Sequence, residues 1–175
     1  MKSLVLLFAV LFLSGMAFGQ TAETMTIKLY FHNEKLNPNM QDCTKVFPTT
    51  RQIPKTKATA TAALEELFKG VTKEEEAKTF WSFSPAETKG ILKSVTVKGG
   101  GAYVNFTNRV YEQMGTATTS CGGGFFSSVE KTLLQFPTIK KVYYAVEGDT
   151  NGFYEWVQVG ECPHGKKHCA KSNFK

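Results

Sequence analysis

The spacing of hydrophobic and polar positions changes several times along the chain, and each change marks an element. In residues 126–136 the apolar side chains Phe126, Val129, Leu133 and Phe136 recur at intervals of three and four, the spacing of one helix face. Glu130 and Lys131 fall off that face, as a surface helix requires. Pro137 cannot extend the helix and biases Phe136 towards extended backbone. Residues 139–146 then hold Ile139, Val142, Tyr144 and Val146, the β-branched and aromatic composition of a buried strand. A helix with one apolar face, followed at once by such a strand, needs a sheet to lie on.

The other periods supply that sheet. Alternation over residues 25–31 puts Ile27, Leu29 and Phe31 on one face of a strand. Residues 32–41 are polar, carry Pro38 and three asparagines, and read as a loop. Residues 43–54 hold Val46, Phe47 and Ile53 around Pro48, which confines them to an edge strand or a bulged one. Ala60, Ala63, Leu64, Leu67 and Phe68 make the stripe of a helix over 56–70, capped by Thr56 or Thr59 and ended by Gly70. Thr72 and Glu75 have the spacing of a capping box for a short helix over 73–78. Val95, Val97, Val104 and Phe106 alternate on either side of Gly99-Gly100-Gly101, which predicts a hairpin of 92–98 with 102–106. Residues 107–119 read as a loop with a helical turn near 109–113. Residues 148–152 read as a turn and 153–159 as a last strand. The order predicts an α/β (α+β) sandwich: a mixed β-sheet with two main helices packed on one face.

The first 19 residues stand apart from this pattern. Lys2, an apolar run over 4–13 and Ala17-Phe18-Gly19 have the layout of a signal peptide cleaved after Gly19. The organisation predicted is a signal peptide over 1–19, a domain over 20–160 and a basic, Cys-containing tail over 161–175. No transmembrane segment is expected in the mature chain, and the location expected is periplasmic or extracellular. Lys and Arg outnumber Asp and Glu by 21 to 15. The lysines are dispersed and no arginine cluster appears, which excludes a nucleic-acid partner and suits anionic surroundings such as cell-wall polymers or lipid headgroups. The four cysteines, Cys43, Cys121, Cys162 and Cys169, argue for two disulfides in an exported chain. Three pairings are possible; Cys43–Cys121 with Cys162–Cys169 is preferred.

In order and spacing, the segments Ile27-Lys-Leu-Tyr-Phe31, Arg51-Gln-Ile-Pro-Lys-Thr56, Ala62-Ala-Leu-Glu-Glu-Leu67, Gly70-Val-Thr-Lys-Glu-Glu75, Gly101-Ala-Tyr-Val-Asn-Phe106, Ser120-Cys121 and Thr132-Leu-Leu-Gln-Phe-Pro137 form one set. On these residues the chain resembles the GerMN domain, the module named for a sporulation and spore-germination protein. It departs from the family pattern at Val71, where a proline is usual, at Asn105, where the family carries aspartate, and in the tail. The resemblance implies an extracytoplasmic α/β module without an established catalytic activity. Such modules occur in envelope and sporulation proteins and are thought to support envelope assembly or peptidoglycan remodelling through binding.

Candidate chemistry is sparse. Cys162, His164, His168 and Cys169 could hold Zn²⁺ in a tail that docks a partner, but adjacent His168 and Cys169 lack ligand spacing, and a disulfide is favoured. A free Cys121 beside the glycines could act as a nucleophile with His32 in a small envelope hydrolase, as could paired carboxylates, whereas Glu65, Glu66, Glu74, Glu75 and Glu76 read as solvated helix faces and partners of the helix dipoles. No motif of fixed spacing supports catalysis, and no cofactor is expected. Arg51 is expected to pair with a carboxylate or hold a ligand. Trp81, and Tyr154 and Trp156 on the last strand, are the candidates for stacking on a cell-wall glycan or an envelope protein. Asn105-Phe-Thr107 matches a glycosylation acceptor and is read as chance.

Overall fold

A computed structural model describes residues 23–115 and 123–175. The elements are β1 (Thr24–Asn33), β2 (Phe47–Pro54), α1 (Thr59–Leu67), α2 (Lys73–Glu76), β3 (Phe80–Trp81), α3 (Pro85–Thr88), β4 (Leu92–Lys98), β5 (Gly101–Phe106), α4 (Arg109–Gln113), α5 (Gly123–Leu134), β6 (Lys141–Val146), α6 (Thr150–Trp156) and α7 (Gly165–Cys169). The α+β class and the two main helices, α1 and α5, are as expected. The strands divide into two three-stranded sheets, ordered β2-β1-β3 and β4-β5-β6. Only the second is mixed: β4 and β5 form the antiparallel hairpin, and β5 pairs with β6 in parallel.

The first sheet follows the sequence closely. Ile27, Leu29 and Phe31 are buried on one face of β1. Pro48 lies in β2, at the sheet's edge, opposite Tyr30. Because β3 pairs only with His32 and Asn33, the middle of β1 has an open side, and α5 closes it. The Gln135 amide accepts from Lys28 N–H and donates to Lys28 C=O, both at 2.7 Å, while Thr132 Oγ1 accepts from Tyr30 N–H. These side chains stand in for a neighbouring strand.

Helix α1 is capped by neither Thr56 nor Thr59. Ala58 is its N-cap and makes no side-chain cap, while Thr56 Oγ1 accepts from Ala58 N–H outside the helix. The capping box of Thr72 and Glu75 is formed as expected. A second box, Ser84 with Glu87, starts α3. Helix α5 buries two faces at its start: Phe125 stacks on Phe68, and Phe126 packs edge-on against Tyr144 and Phe153. Gly124 lies where the chains approach closest. A Cβ there would come within 2.6 Å of the Cys43 carbonyl and of the His32 ring.

One element is corrected. Residues 153–159 form no strand; α6 spans Thr150–Trp156. Phe153, Trp156 and Val157 fit a helical period while Phe153, Val157 and Val159 fit an alternating one, and Asp149 decides between them by accepting from Gly152 N–H as N-cap. Tyr154 is consequently buried, and Trp156 packs against Tyr111, Phe126 and Phe153. With no strand here, no strand face presents Tyr154 and Trp156 to a glycan.

Every residue of β5 is buried, so the second sheet is covered on both faces. Helices α1, α5 and α6 cover the face of Ala102, Val104, Phe106, Val142, Tyr144 and Val146. Residues 161–175 cover the other, where Phe174 packs with Tyr103, Tyr143 and Ala145 in a second cluster. Asn105, 2% exposed, locks this cover: its Oδ1 accepts from Gly148 N–H at 2.9 Å and its Nδ2 donates to Phe174 C=O at 2.8 Å. Both amide atoms are thus engaged beneath the tail, which leaves no room for a glycan at this position. Asn105→Asp keeps the acceptor and loses the donor, setting a carboxylate oxygen against a carbonyl. It should cost about 2 kcal/mol and raise hydrogen exchange across 161–175 more than across β1; unchanged tail protection would show that Asn105 is not the anchor.

Candidate functional site

The sequence-derived candidates do not converge on one site. Arg51, on β2, spends its guanidinium internally. Its Nε donates to Glu75 Oε1 at 3.1 Å, Nη1 to Glu66 Oε1 at 3.1 Å and Nη2 to Gly70 C=O at 2.6 Å, with a further ion pair to Glu75 Oε2. The Phe31 ring lies 5.5 Å beneath it. This matches the expected carboxylate pairing. Burial alone would raise the Glu75 carboxyl, but the Arg51 hydrogen bonds, the Thr72 N–H and the Arg51 charge outweigh it and hold it below its ordinary value. The same holds for Glu66, where Lys69 assists Arg51.

Trp81, half-buried on β3, stacks on His32 with ring centroids 4.4 Å apart. His32 is only 3% exposed, and burial, set against a backbone hydrogen bond at Lys45, lowers its pKa. A histidine sealed between Trp81 and Gly124 is poorly placed to serve as a base for an external substrate. Its proposed partner Cys121 lies outside the described residues, and so does the expected Cys43–Cys121 bond; no described cysteine is free.

In the tail, Cys162 and Cys169 form a disulfide with Cα atoms 6.1 Å apart. Both sulfurs are thereby withdrawn from metal binding. His168 stacks on Tyr143 at 4.5 Å, and its Nδ1 lies 2.9 Å from the Tyr103 hydroxyl; His164 meets the edges of Tyr143 and Tyr154. No group of three or more potential metal ligands is assembled among the described residues. Burial pushes the Tyr154 phenol up to about 12, so it stays neutral.

The sequence reading missed one concavity. A groove runs between α1 and β4. One part, about 400 Å³, is lined by Thr61, Phe68, Pro85, Thr88, Leu92 and the lysines Lys69, Lys89 and Lys93, with Glu65. A second part, about 340 Å³, continues past Thr61 to Val95, Val97 and Phe136. Strand β4 pairs on one side only, with β5, and its other edge borders the groove. Among the described residues no hydrogen bond reaches that outer edge of β4.

The sequence over residues 28–152 matches the model of the Germane family, described as sporulation and spore germination. The chain belongs to the Germane family. A solved structure, the first GerMN domain of the sporulation protein GerM from Bacillus subtilis, shares the fold with a TM-score of 0.51 and 21% identity, covering 81% of this chain and 94% of that one. The tandem GerMN domains of the same protein align over 82% of this chain and 45% of theirs, with a TM-score of 0.47 and 20% identity. Among curated proteins none matches significantly. The Germane match ends before α7, so the disulfide-closed cover of the second sheet lies beyond it.

Two sequence signals pointed towards the groove of this Germane chain. Ser84-Pro85-Ala86-Glu87 has the capping-box spacing that starts α3, one wall of the groove, and the hairpin made β4 a potential edge. Within the Arg51 network, Arg51→Met leaves the buried Glu75 uncompensated. A loss of about 3 kcal/mol is expected, read as a fall in melting temperature of about 10 °C. The lowered Glu66 and Glu75 values stabilise the fold above the ordinary carboxyl value of 4.5, and this contribution disappears as pH falls through their folded-state values. Urea midpoints measured from pH 6 to pH 3 should therefore drop less steeply for Glu75→Gln than for the wild type.

Proposed function

We propose that this Germane chain is an exported, non-enzymatic binding module that holds an extended segment of an envelope protein along β4. The observation that carries this reading is the unpaired outer edge of β4 lying beside the α1 groove. An added strand gains main-chain hydrogen bonds from such an edge, and the groove takes its alternate side chains. Phe68, Pro85 and Leu92 offer apolar floor, and Val95 and Val97 extend it. The rim favours acidic flanks on the segment. Lys89 has no carboxylate within 4.0 Å among the described residues, and Lys93 holds Glu147 in a solvent-exposed pair that exchanges partners at little cost.

The β2 edge of the first sheet suits this role less well. Strand β2 carries Pro48 and ends at Pro54, which remove ladder donors. The bulge at Lys93 and the lysines at both ends of β4 discourage pairing between copies and leave room for a segment of complementary charge. The disulfide in the tail and the membership of the family support a location outside the cytoplasm. In this role the protein would support envelope assembly or peptidoglycan remodelling by holding another protein in place.

A photo-activatable residue at Thr61 tests the reading in cells that express the protein. A discrete adduct with one envelope protein is expected, reduced at least tenfold by Lys89→Glu. The same adduct formed equally from a probe at Glu34, on the loop after β1, would overturn the groove assignment.

A further inference from the structure

Strand β4 presents different side chains on its two faces. Val95 and Val97 line the groove beside α1, and they pair in register with Val104 and Ala102 of the helix-covered face. Ser94, Thr96 and Lys98 alternate with them and so lie on the other face. Thr96 pairs with Tyr103 and Ser94 with Asn105, the two β5 residues that meet Phe174. The tail crosses that face strand by strand. Thr150 Oγ1 donates to Cys169 C=O at 3.1 Å, and the Lys171 side chain packs over Gly148, just past β6. Asn105 then holds the Phe174 carbonyl on β5, and Thr96 Oγ1 donates to the main-chain oxygen of Lys175 at 3.1 Å on β4. The tail therefore reaches the strand whose outer side is unpaired.

We propose that the tail is the second wall of the β4 site, and that the segment held there alternates apolar side chains, which enter the groove, with acidic ones, which face Lys98 and Lys175. This rests on the reading of β4 as the edge that takes an extended segment. A strand added to β4 continues the pleat of the sheet. Its residues beside Val95 and Val97 face α1, and the residues between them face the tail. The two walls differ in chemistry. Val95, Val97, Phe136 and Ile139 make the groove side largely apolar. On the tail side, Lys98 and Lys175 are exposed, and among the described residues neither has a carboxylate within 4.0 Å.

Three further features favour acidic side chains on this face. Residues 162–175 contain no aspartate or glutamate, so no acidic side chain of the tail competes for the two amines. Lys98 Nζ lies 5.6 Å over the Tyr103 ring, which keeps the amine on the tail side of the sheet. Ser94 Oγ, on the same face, is buried without a hydrogen-bond partner among the described residues, and a carboxylate across from it would supply an acceptor. The wall is also built before the segment arrives. The Cys162–Cys169 bond closes one part of the tail, and Asn173 Nδ2 donates to the carbonyls of Lys167 and His168 at 2.9 and 3.2 Å. A fixed wall costs less order on binding than a loose one. A basic residue facing Lys98 sets like charges across the strands, so the site rejects by charge on one face and selects by apolar fit on the other.

Photo-activatable residues at Thr61 and at Lys175, introduced one at a time into the full chain in cells that express it, test this. Both should give an adduct with the same protein. Mass-spectrometric mapping should place the two cross-links within about six residues of each other, the span of one strand, in a stretch with Asp or Glu at alternate positions. K98E should lower the Thr61 adduct about fivefold, as an exposed pair turns from attraction to repulsion. K28E, the same change of charge on the first sheet, should leave it within about twofold. Equal losses in K98E and K28E would reduce the effect to net charge and overturn the proposal. A Thr61 adduct with none at Lys175, or a mapped segment without acidic residues, would overturn the second wall while the groove reading stands. Absence of a discrete adduct at Thr61 would overturn the groove reading, and the second wall with it.

Discussion

A parallel pair of strands buried on both faces has to be covered twice, and most of this molecule follows from that constraint. The β5–β6 pair is the buried centre of the second sheet, with β5 buried at every residue. The crossover that makes the pair parallel carries α5 onto one face, where it also meets α1 and seals the open side of β1. The other face cannot be reached by that crossover. It is filled by the chain that follows α6, with Phe174 as its wedge and Asn105 as its clasp. One constraint therefore joins the helix layer, the link between the two sheets and the tail.

Arg51 performs the corresponding task on the first sheet. Its five polar contacts tie β2 to the end of α1 and to the start of α2, three segments with no continuous backbone ladder between them. The guanidinium fork suits this geometry, since its donors diverge in one plane and each meets a separate acceptor. Such a network fixes a relative placement as much as it adds stability, and the wall of the groove is built on α1, which it holds.

Much of this arrangement was legible in the chain, because most elements had a period that agreed with their ends. Ile27, Leu29 and Phe31 alternate without interruption, Pro48 marks its strand as an edge, and three glycines divide the hairpin. The failure at 153–159 has a physical cause: the apolar residues of this stretch can be grouped by either period, Phe153 with Trp156 and Val157 or Phe153 with Val157 and Val159, and the arbiter is a single cap at Asp149. Long-range polar contacts gave no such signal. That Gln135 would stand in for a strand, or that Asn105 would hold Phe174, depends on which segments meet in space. The groove was hidden for the same reason, since α1 forms one wall and the later α3 and β4 form the other. The pairing of Arg51 was legible only as a demand: a cation on a half-buried strand needs an anion, and the sequence did not say which.

The position of the cover in the chain sets an order of events. Residues 161–175 follow β6, so the outer face of the second sheet stays open until the strands have left the ribosome and, in an exported chain, crossed the membrane. The Tyr103 and Tyr143 rings wait in that interval for Phe174 and for a bond between two cysteines seven residues apart. Completion of the second sheet is thereby delayed until the chain beyond α6 has arrived. It also depends on the oxidation of two thiols, and a chain whose Cys162 and Cys169 were kept reduced would hold that cover less firmly.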